Sequence, residues 1–216
     1  MKALLSTTYF GPIQWYQKLY RHETVEIEQW ESFLKQTYRN RCLIATTQGI
    51  QALTVPIERG TSQQIRDIRI SDHGNWRHLH WNALVSAYGE SPFFEYYQDD
   101  IRPFFEHRWD YLFDFNEAIR EKMCELLDIQ PKVGYTSAFA NHRGDRHHDL
   151  RDASITVPVP MIHDFREAIN PKHPQPDPDF EPKPYYQVYQ QKHGFLLNLS
   201  ILDLLFNMGP EGIFYL

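Results

Sequence analysis

The sequence predicts an α/β or α+β fold in a single domain over residues 1–216, with a strand-rich N-terminal half and a helical middle. Three observations carry this. Short apolar runs of strand length recur before residue 70. Helical spacing of apolar residues takes over between Trp76 and Leu127. A helical pattern also follows the first strand, as a parallel pairing requires. The strand order is left open.

Residues 2–6 read as the first strand. Phe10-Gly11-Pro12 turns the chain, and Pro12 suits the first turn of a helix carrying Ile13, Tyr16, Leu19 and Tyr20. Thr24 to Glu28 alternates, with Val25 and Ile27 on one side. Cys42 to Ala45 and Gln51 to Ile57 flank the Gln48-Gly49 turn and read as a hairpin. Ile65, Ile68 and Ile70 suggest a further strand. Trp76 to Tyr88 has helical spacing. Ser91-Pro92 starts a second helix, whose face is Phe93, Phe94, Tyr97, Ile101, Phe104 and Phe105 and which Pro103 bends. Phe115 to Leu127 forms a third, with Asp114 as its cap. Residues 134–153 read as loop, and Ile155 to Val159 as a short edge strand. Residues 171–184 hold six of the 14 prolines and read as an extended, mobile surface loop or lid. Ser200 caps a final helix that Gly209-Pro210 stops.

Composition narrows the function classes. Of 216 residues, 22 are Lys or Arg and 28 Asp or Glu, for a net charge of -6. That balance disfavours a general nucleic-acid binder. Mean hydropathy is -0.57, and no apolar run approaches membrane-spanning length, so no membrane insertion is expected. Cys42 and Cys124 lie 82 residues apart with no CxxC partner. Buried thiols and a reduced, cytoplasmic protein follow.

Several blocks resemble one family. They are Tyr9-Phe10-Gly11-Pro12-Ile13-Gln14-Trp15-Tyr16, Lys35-Gln36-Thr37-Tyr38-Arg39-Asn40-Arg41-Cys42, Leu53-Thr54-Val55-Pro56, Ala87-Tyr88, Ser91-Pro92-Phe93-Phe94, Tyr186-Gln187-Val188 and Gly194-Phe195 to Gly209-Pro210. Together they resemble the WbqC-like family along nearly the whole chain. Where that family has two prolines before the isoleucine, this chain has Gly11-Pro12. The resemblance implies a place among bacterial surface-polysaccharide or O-antigen proteins, making or decorating an activated sugar. It implies no catalytic residues, so roles are assigned from residue chemistry.

Four constellations could carry chemistry. The loop from Tyr9 through Pro12 to Gln14 brings backbone N–H groups to a helix N-terminus, where a phosphate or carboxylate could bind. It has neither GxGxxG nor GxxxxGK[ST], and it would serve equally as a turn with core anchors. Lys35, Arg39 and Arg41 fall within seven residues. In an extended segment Arg39 and Arg41 would share one face and neutralise a diphosphate; the alternative is a solvated basic stretch. His73, His78 and His80 lack the spacing of a helical metal pair and are mainly structural or surface histidines. The stretch from His142 to Asp152 holds three His, three Arg and three Asp. There His147 or His148 is the candidate base, Asp149 or Asp145 its orienting carboxylate and Arg146 a substrate contact; a surface loop of ion pairs is the alternative. Asp203, with Asn198 and Ser200, caps the last helix or bonds a ligand. Tyr9, Tyr38 and Tyr186 could stack on a base or sugar.

These features assemble into a cytoplasmic transferase moving an acyl, aminoacyl or similar group to a nucleotide-linked sugar, with no cofactor named. Two other readings compete. One is a non-catalytic binding or assembly protein that docks through exposed aromatic helices around Phe93 to Trp109, which would equally serve a homodimer. The other is a metal-dependent hydrolase.

Overall fold

A computed structural model describes residues 1–58, 60, 62–140 and 162–216. The chain begins with β1 (Lys2–Ser6), α1 (Ile13–Arg21) and β2 (Thr24–Glu28). The two strands pair in parallel, from Lys2 against Thr24 to Ser6 against Glu28. The α/β expectation therefore holds, in its parallel form. β3 (Arg41–Thr46) and β4 (Gly49–Thr54) make the expected antiparallel hairpin. Next come α2 (Trp76–Tyr88), α3 (Phe94–Ile101), α4 (Pro103–Glu106) and α5 (Leu112–Leu126), then β5 (Val133–Tyr135) and β6 (Ile162–Asp164). α6 (Gln190–His193) and α7 (Ile201–Met208) follow, and a 3-10 helix over Gly209–Tyr215 completes the order.

The main sheet is parallel throughout, in the order β5-β2-β1-β6. From β1 the chain steps outward to β2 and β5, then returns to lay β6 on the other side of β1. The order thus reverses between β1 and β6, which makes a topological switch point there. β1 is central, and its Ala3, Leu4 and Leu5 are fully buried on both faces.

Several local expectations are corrected. Ile65–Asp67 is a 3-10 turn, not a strand; single bridges, Ile57 to Ile70 and Arg69 to Tyr111, replace a ladder. α5 begins a turn early at Leu112, so Asp114 lies in its first turn instead of capping it. β5 overlaps the start of the stretch read as loop. The strand expected over 155–159 lies outside the described residues.

One hydrophobic cluster runs from Ala3 to Leu216. The aromatic helices face into it: Phe94, Tyr97, Ile101, Phe104 and Phe105 are buried, and Phe10 packs edge-on to Phe104 and parallel to Phe105. This overturns the aromatic docking face, because the ring stripe is the core; of the aromatic residues of α3, Tyr96 stays largely exposed. Cys42 and Cys124 are free and buried, and burial pushes the Cys124 thiol up to about 11. Among the described residues, no helix is long and apolar enough to cross a membrane.

The proline-rich segment is extended but tied down. α1 buries Gln14, Gln17 and Lys18 as well as Ile13, Trp15, Tyr16 and Leu19. These three share a helix face at i, i+3 and i+4, and the segment covers that face. Lys18 Nζ lies 2.9 Å from Asp177 Oδ1, and both side chains are nearly fully buried. Gln14 Nε2 donates to Asp177 Oδ2 at 2.7 Å. Gln17 exchanges bonds with the Glu181 backbone. Residues 171–184 are therefore a strap rather than a free lid.

Candidate functional site

Parallel strands point their carboxyl ends at one edge of a sheet, and ligands of open α/β sheets bind outside that edge at the switch point. A cavity of about 580 Å³ lies at this place, lined by Trp30, Glu31 and Arg39 on one side and by Phe139, Asp164 and Arg166 on another. Ser32, Leu34, Glu167 and Gln175 also line it.

Each wall is fixed by a charge network, buried at Arg39 and Glu31 and open to solvent at Asp164. Arg39 Nε donates to Glu31 Oε1 at 2.8 Å and its Nη2 to Ser6 Oγ at 2.9 Å. Ser6 Oγ donates in turn to Glu31 Oε2 at 3.1 Å. These bonds join the ends of β1 and β2 to the turn before β3. Across the cavity, Arg166 grips Asp164 with two parallel bonds, 2.9 and 2.7 Å. Burial alone would lower the Arg166 pKa, but the Asp164, Glu31 and Glu28 carboxylates raise it above its ordinary value.

Glu28 joins the walls together. It is fully buried at the end of β2. Its carboxylate accepts from Trp30 N, Thr136 Oγ1 and Ala140 N, each at 2.8 Å, and from Arg166 Nη1 at 3.4 Å. One side chain thereby ties together the ends of β2 and β5 and Arg166, two residues beyond β6. The aromatic surfaces are oriented by the same groups. Trp30 Nε1 donates to Thr136 O at 2.9 Å, and Arg66 stacks on the Trp30 ring at 4.3 Å. Arg166 lies 5.3 Å from the Phe139 ring centre. Alternation sends Thr7 the other way, toward Glu117 at 3.4 Å. Burial raises the Glu117 carboxyl pKa, and Arg120 and Tyr135 hold it in place.

Most groups here are already paired. Among the described residues, the Glu167 carboxylate and the Gln175 amide have no partner, and the Leu34 and Phe139 side chains are about half exposed. The cavity can therefore present an aromatic face with polar acceptors and donors around it. That surface suits a polyhydroxylated ring.

Few of the residues singled out from the sequence come together here. Arg39 does. Lys35 is exposed, and Arg41 reaches Thr54 Oγ1 at 3.0 Å on the hairpin. The segment before Arg41 is a series of turns rather than a strand, so Arg39 and Arg41 share no face, and Arg39 is already neutralised by Glu31. The α1 N-terminus is also occupied. Ile13 N donates to Leu199 O at 3.0 Å and Gln14 N to Asn198 Oδ1 at 2.9 Å. Pro12 is buried just before the helix. The loop is tight: Phe10 holds a φ of 40°, and a Cβ at Gly11 would come within 2.4 Å of Thr8 Oγ1. Both phosphate expectations thus fail on geometry.

The tyrosines and histidines also sort by burial. Tyr9 is fully buried and shares a 2.9 Å hydrogen bond with His80 Nδ1. Burial lowers the His80 pKa to about 4 and raises that of Tyr38 to about 12. Tyr186 is exposed. His78 bonds Asn82 on the helix surface and His73 is exposed, so the three histidines do not assemble. Ser200 caps α7 through Leu202 N. Asn198 caps α1, and Asp203 accepts from Tyr88 and Tyr185 at 2.9 and 2.6 Å. Among the described residues, no group of three His, Cys, Asp or Glu is placed to hold a metal ion. Asp145, Arg146, His147, His148 and Asp149 lie outside the described residues.

Sequence reasoning missed Glu28, Trp30, Glu31, Phe139, Asp164 and Arg166. The cluster Glu28, Trp30 and Glu31 directly after a predicted parallel strand was the available signal. Asp164 ends a strand of three residues, too short to read, and Arg166 lies just beyond it.

A model of the WbqC-like protein family matches residues 7–215. The chain is also similar to "Uncharacterized protein Rv1507c" of Mycobacterium tuberculosis, 30% identical over 193 residues that make up 85% of this chain and 83% of that protein. No solved structure matches the chain.

Proposed function

The chain belongs to the WbqC-like protein family, and on that premise we propose that it is a transferase acting on a nucleotide-linked sugar bound in the switch-point cavity. The observation that carries the proposal is the cavity's place and lining: Trp30 and Phe139 beside fixed carboxylates at the carboxyl ends of β1, β2 and β6. The transferred group is an acyl, aminoacyl or similar unit, and the setting is surface-polysaccharide synthesis in the cytoplasm. His147 or His148 deprotonates the attacking group, with Asp149 or Asp145 orienting it and Arg146 contacting substrate. These residues follow Ala140 by five to nine positions, and Ala140 is bonded to Glu28 and Arg166 behind the Phe139 wall.

A thermal-shift panel of UDP-, dTDP- and GDP-linked sugars, each with and without acyl donors, tests the reading. A ligand at 100 times its Kd stabilises the native state by about 2.7 kcal/mol. At least one nucleotide-linked sugar is expected to raise Tm in the wild type and to lose most of that shift in Trp30→Ala. Turnover of that sugar is expected to vanish in a His147→Ala/His148→Ala double variant that still binds it. Binding without turnover in the wild type would instead favour a non-catalytic binding protein. Silence across the panel would contradict the proposal.

A further inference from the structure

Resting on the sugar-transferase reading, we infer that the cavity takes the glycosyl end of the substrate and leaves its diphosphate outside. The charge of the described lining decides this. Glu31, Asp164 and Glu167 line the cavity with Arg39 and Arg166, and the fully buried carboxylate of Glu28 stands behind Arg166. Carboxylates outnumber guanidiniums. Both guanidiniums are bidentately engaged, Arg39 by Glu31 and Arg166 by Asp164.

A diphosphate placed among these groups would have to displace a carboxylate from each arginine and then lie beside it. Like charges in such a site are a strong rejecting element. The two usual backbone routes for phosphate are closed as well. The α1 N-terminus gives its first N–H groups to Leu199 and Asn198, and the β1–α1 loop residues Thr7, Tyr9 and Phe10 are fully buried.

A neutral polyhydroxylated ring meets no such penalty. Its apolar face can lie on Trp30 or Phe139, while its hydroxyls reach the Glu167 carboxylate and Gln175 amide, which have no partner among the described residues. Glu167 is thus a specificity-determining residue that accepts from a sugar hydroxyl. Its neighbours set which substrates enter: hexoses with free hydroxyls are admitted, and anionic groups are turned away.

Competition binding tests this with UDP-glucose, dTDP-glucose and GDP-mannose, the free diphosphates UDP, dTDP and GDP, and the methyl glycosides of glucose and mannose. For whichever nucleotide-linked sugar binds, the matching methyl glycoside is expected to displace it. The free diphosphate is expected to bind at least about 100-fold more weakly than the intact compound. Glu167→Gln, which stays folded because the side chain is exposed, is expected to weaken the glycoside about tenfold and to leave the diphosphate unchanged. A free diphosphate that binds within threefold of the intact compound, with no competition by the glycoside, would overturn the inference and leave the transferase reading standing. Failure of every probe to bind the wild type would overturn both.

Discussion

Glu31→Ala lowers the free energy of unfolding by about 3–5 kcal/mol. The loss comes from what is left behind. Arg39 is buried, and Glu31 supplies a bidentate carboxylate to it. Removing the acid strands a guanidinium away from water with Ser6 Oγ as its remaining side-chain partner. The pair itself adds much less net stability, because both ions were desolvated to form it. A Glu31→Met/Arg39→Met double variant is therefore expected to be more stable than Glu31→Ala, with a difference of about 2 kcal/mol or more. Urea denaturation of the three proteins measures this. Equal loss in the single and double variants would show that the ion pair itself, and not the stranded charge, holds the turn before β3.

Asp203→Asn changes the pH dependence of stability. Asp203 is fully buried in the first turn of α7. Burial raises its pKa from the usual 3.8 to about 6, although bonds from Tyr185, Tyr88, Gln187 and Asn207 lower it in part. The native state then holds a proton between pH 3.8 and 6 that the unfolded chain has released. Stability from this group is complete below pH 3.8 and is lost as pH rises through 6. The size is about 3 kcal/mol. His80 acts in the opposite sense: its pKa near 4 makes stability fall as pH drops from 6.5 toward 4. The wild-type profile mixes the two, so the difference between wild type and Asp203→Asn isolates the carboxyl. That difference is expected to favour the wild type increasingly toward acid across this window. A difference constant from pH 4 to 7 would contradict it.

How much of this was legible depends on element length. β1, α1 and β2 were readable because a short apolar run, a nine-residue helical pattern and a five-residue alternation each leave a signal. β5 and β6 have three residues each, and at that length no period is distinguishable from chance. Without them the strand order, and hence the switch point, could not be placed. The ring stripe of α3 and α4 was readable as helical, but a pattern alone does not say whether rings face a partner or a core; Phe10, from a distant turn, settles it. The strap left a signal that only pairing exposes. Gln14, Gln17, Lys18 and Arg21 line one face of α1, and Asp177 and Glu181 meet that face four residues apart. The arginine cluster misled for a related reason. Residue type marked Arg39 as a phosphate ligand, while its neutralising partner Glu31 lay eight residues upstream, after another element.

The most direct measurement is a two-dimensional NMR titration of protein labelled at its five tryptophans, with the nucleotide-linked sugar that gives the largest thermal shift. The Trp30 indole N–H, bonded to Thr136 O at the cavity wall, is assigned by its loss in Trp30→Phe. The account predicts that this resonance moves saturably with ligand while those of Trp76, Trp81 and Trp109 stay in place. A bound ligand that leaves the Trp30 resonance unmoved would place the site elsewhere and contradict the account.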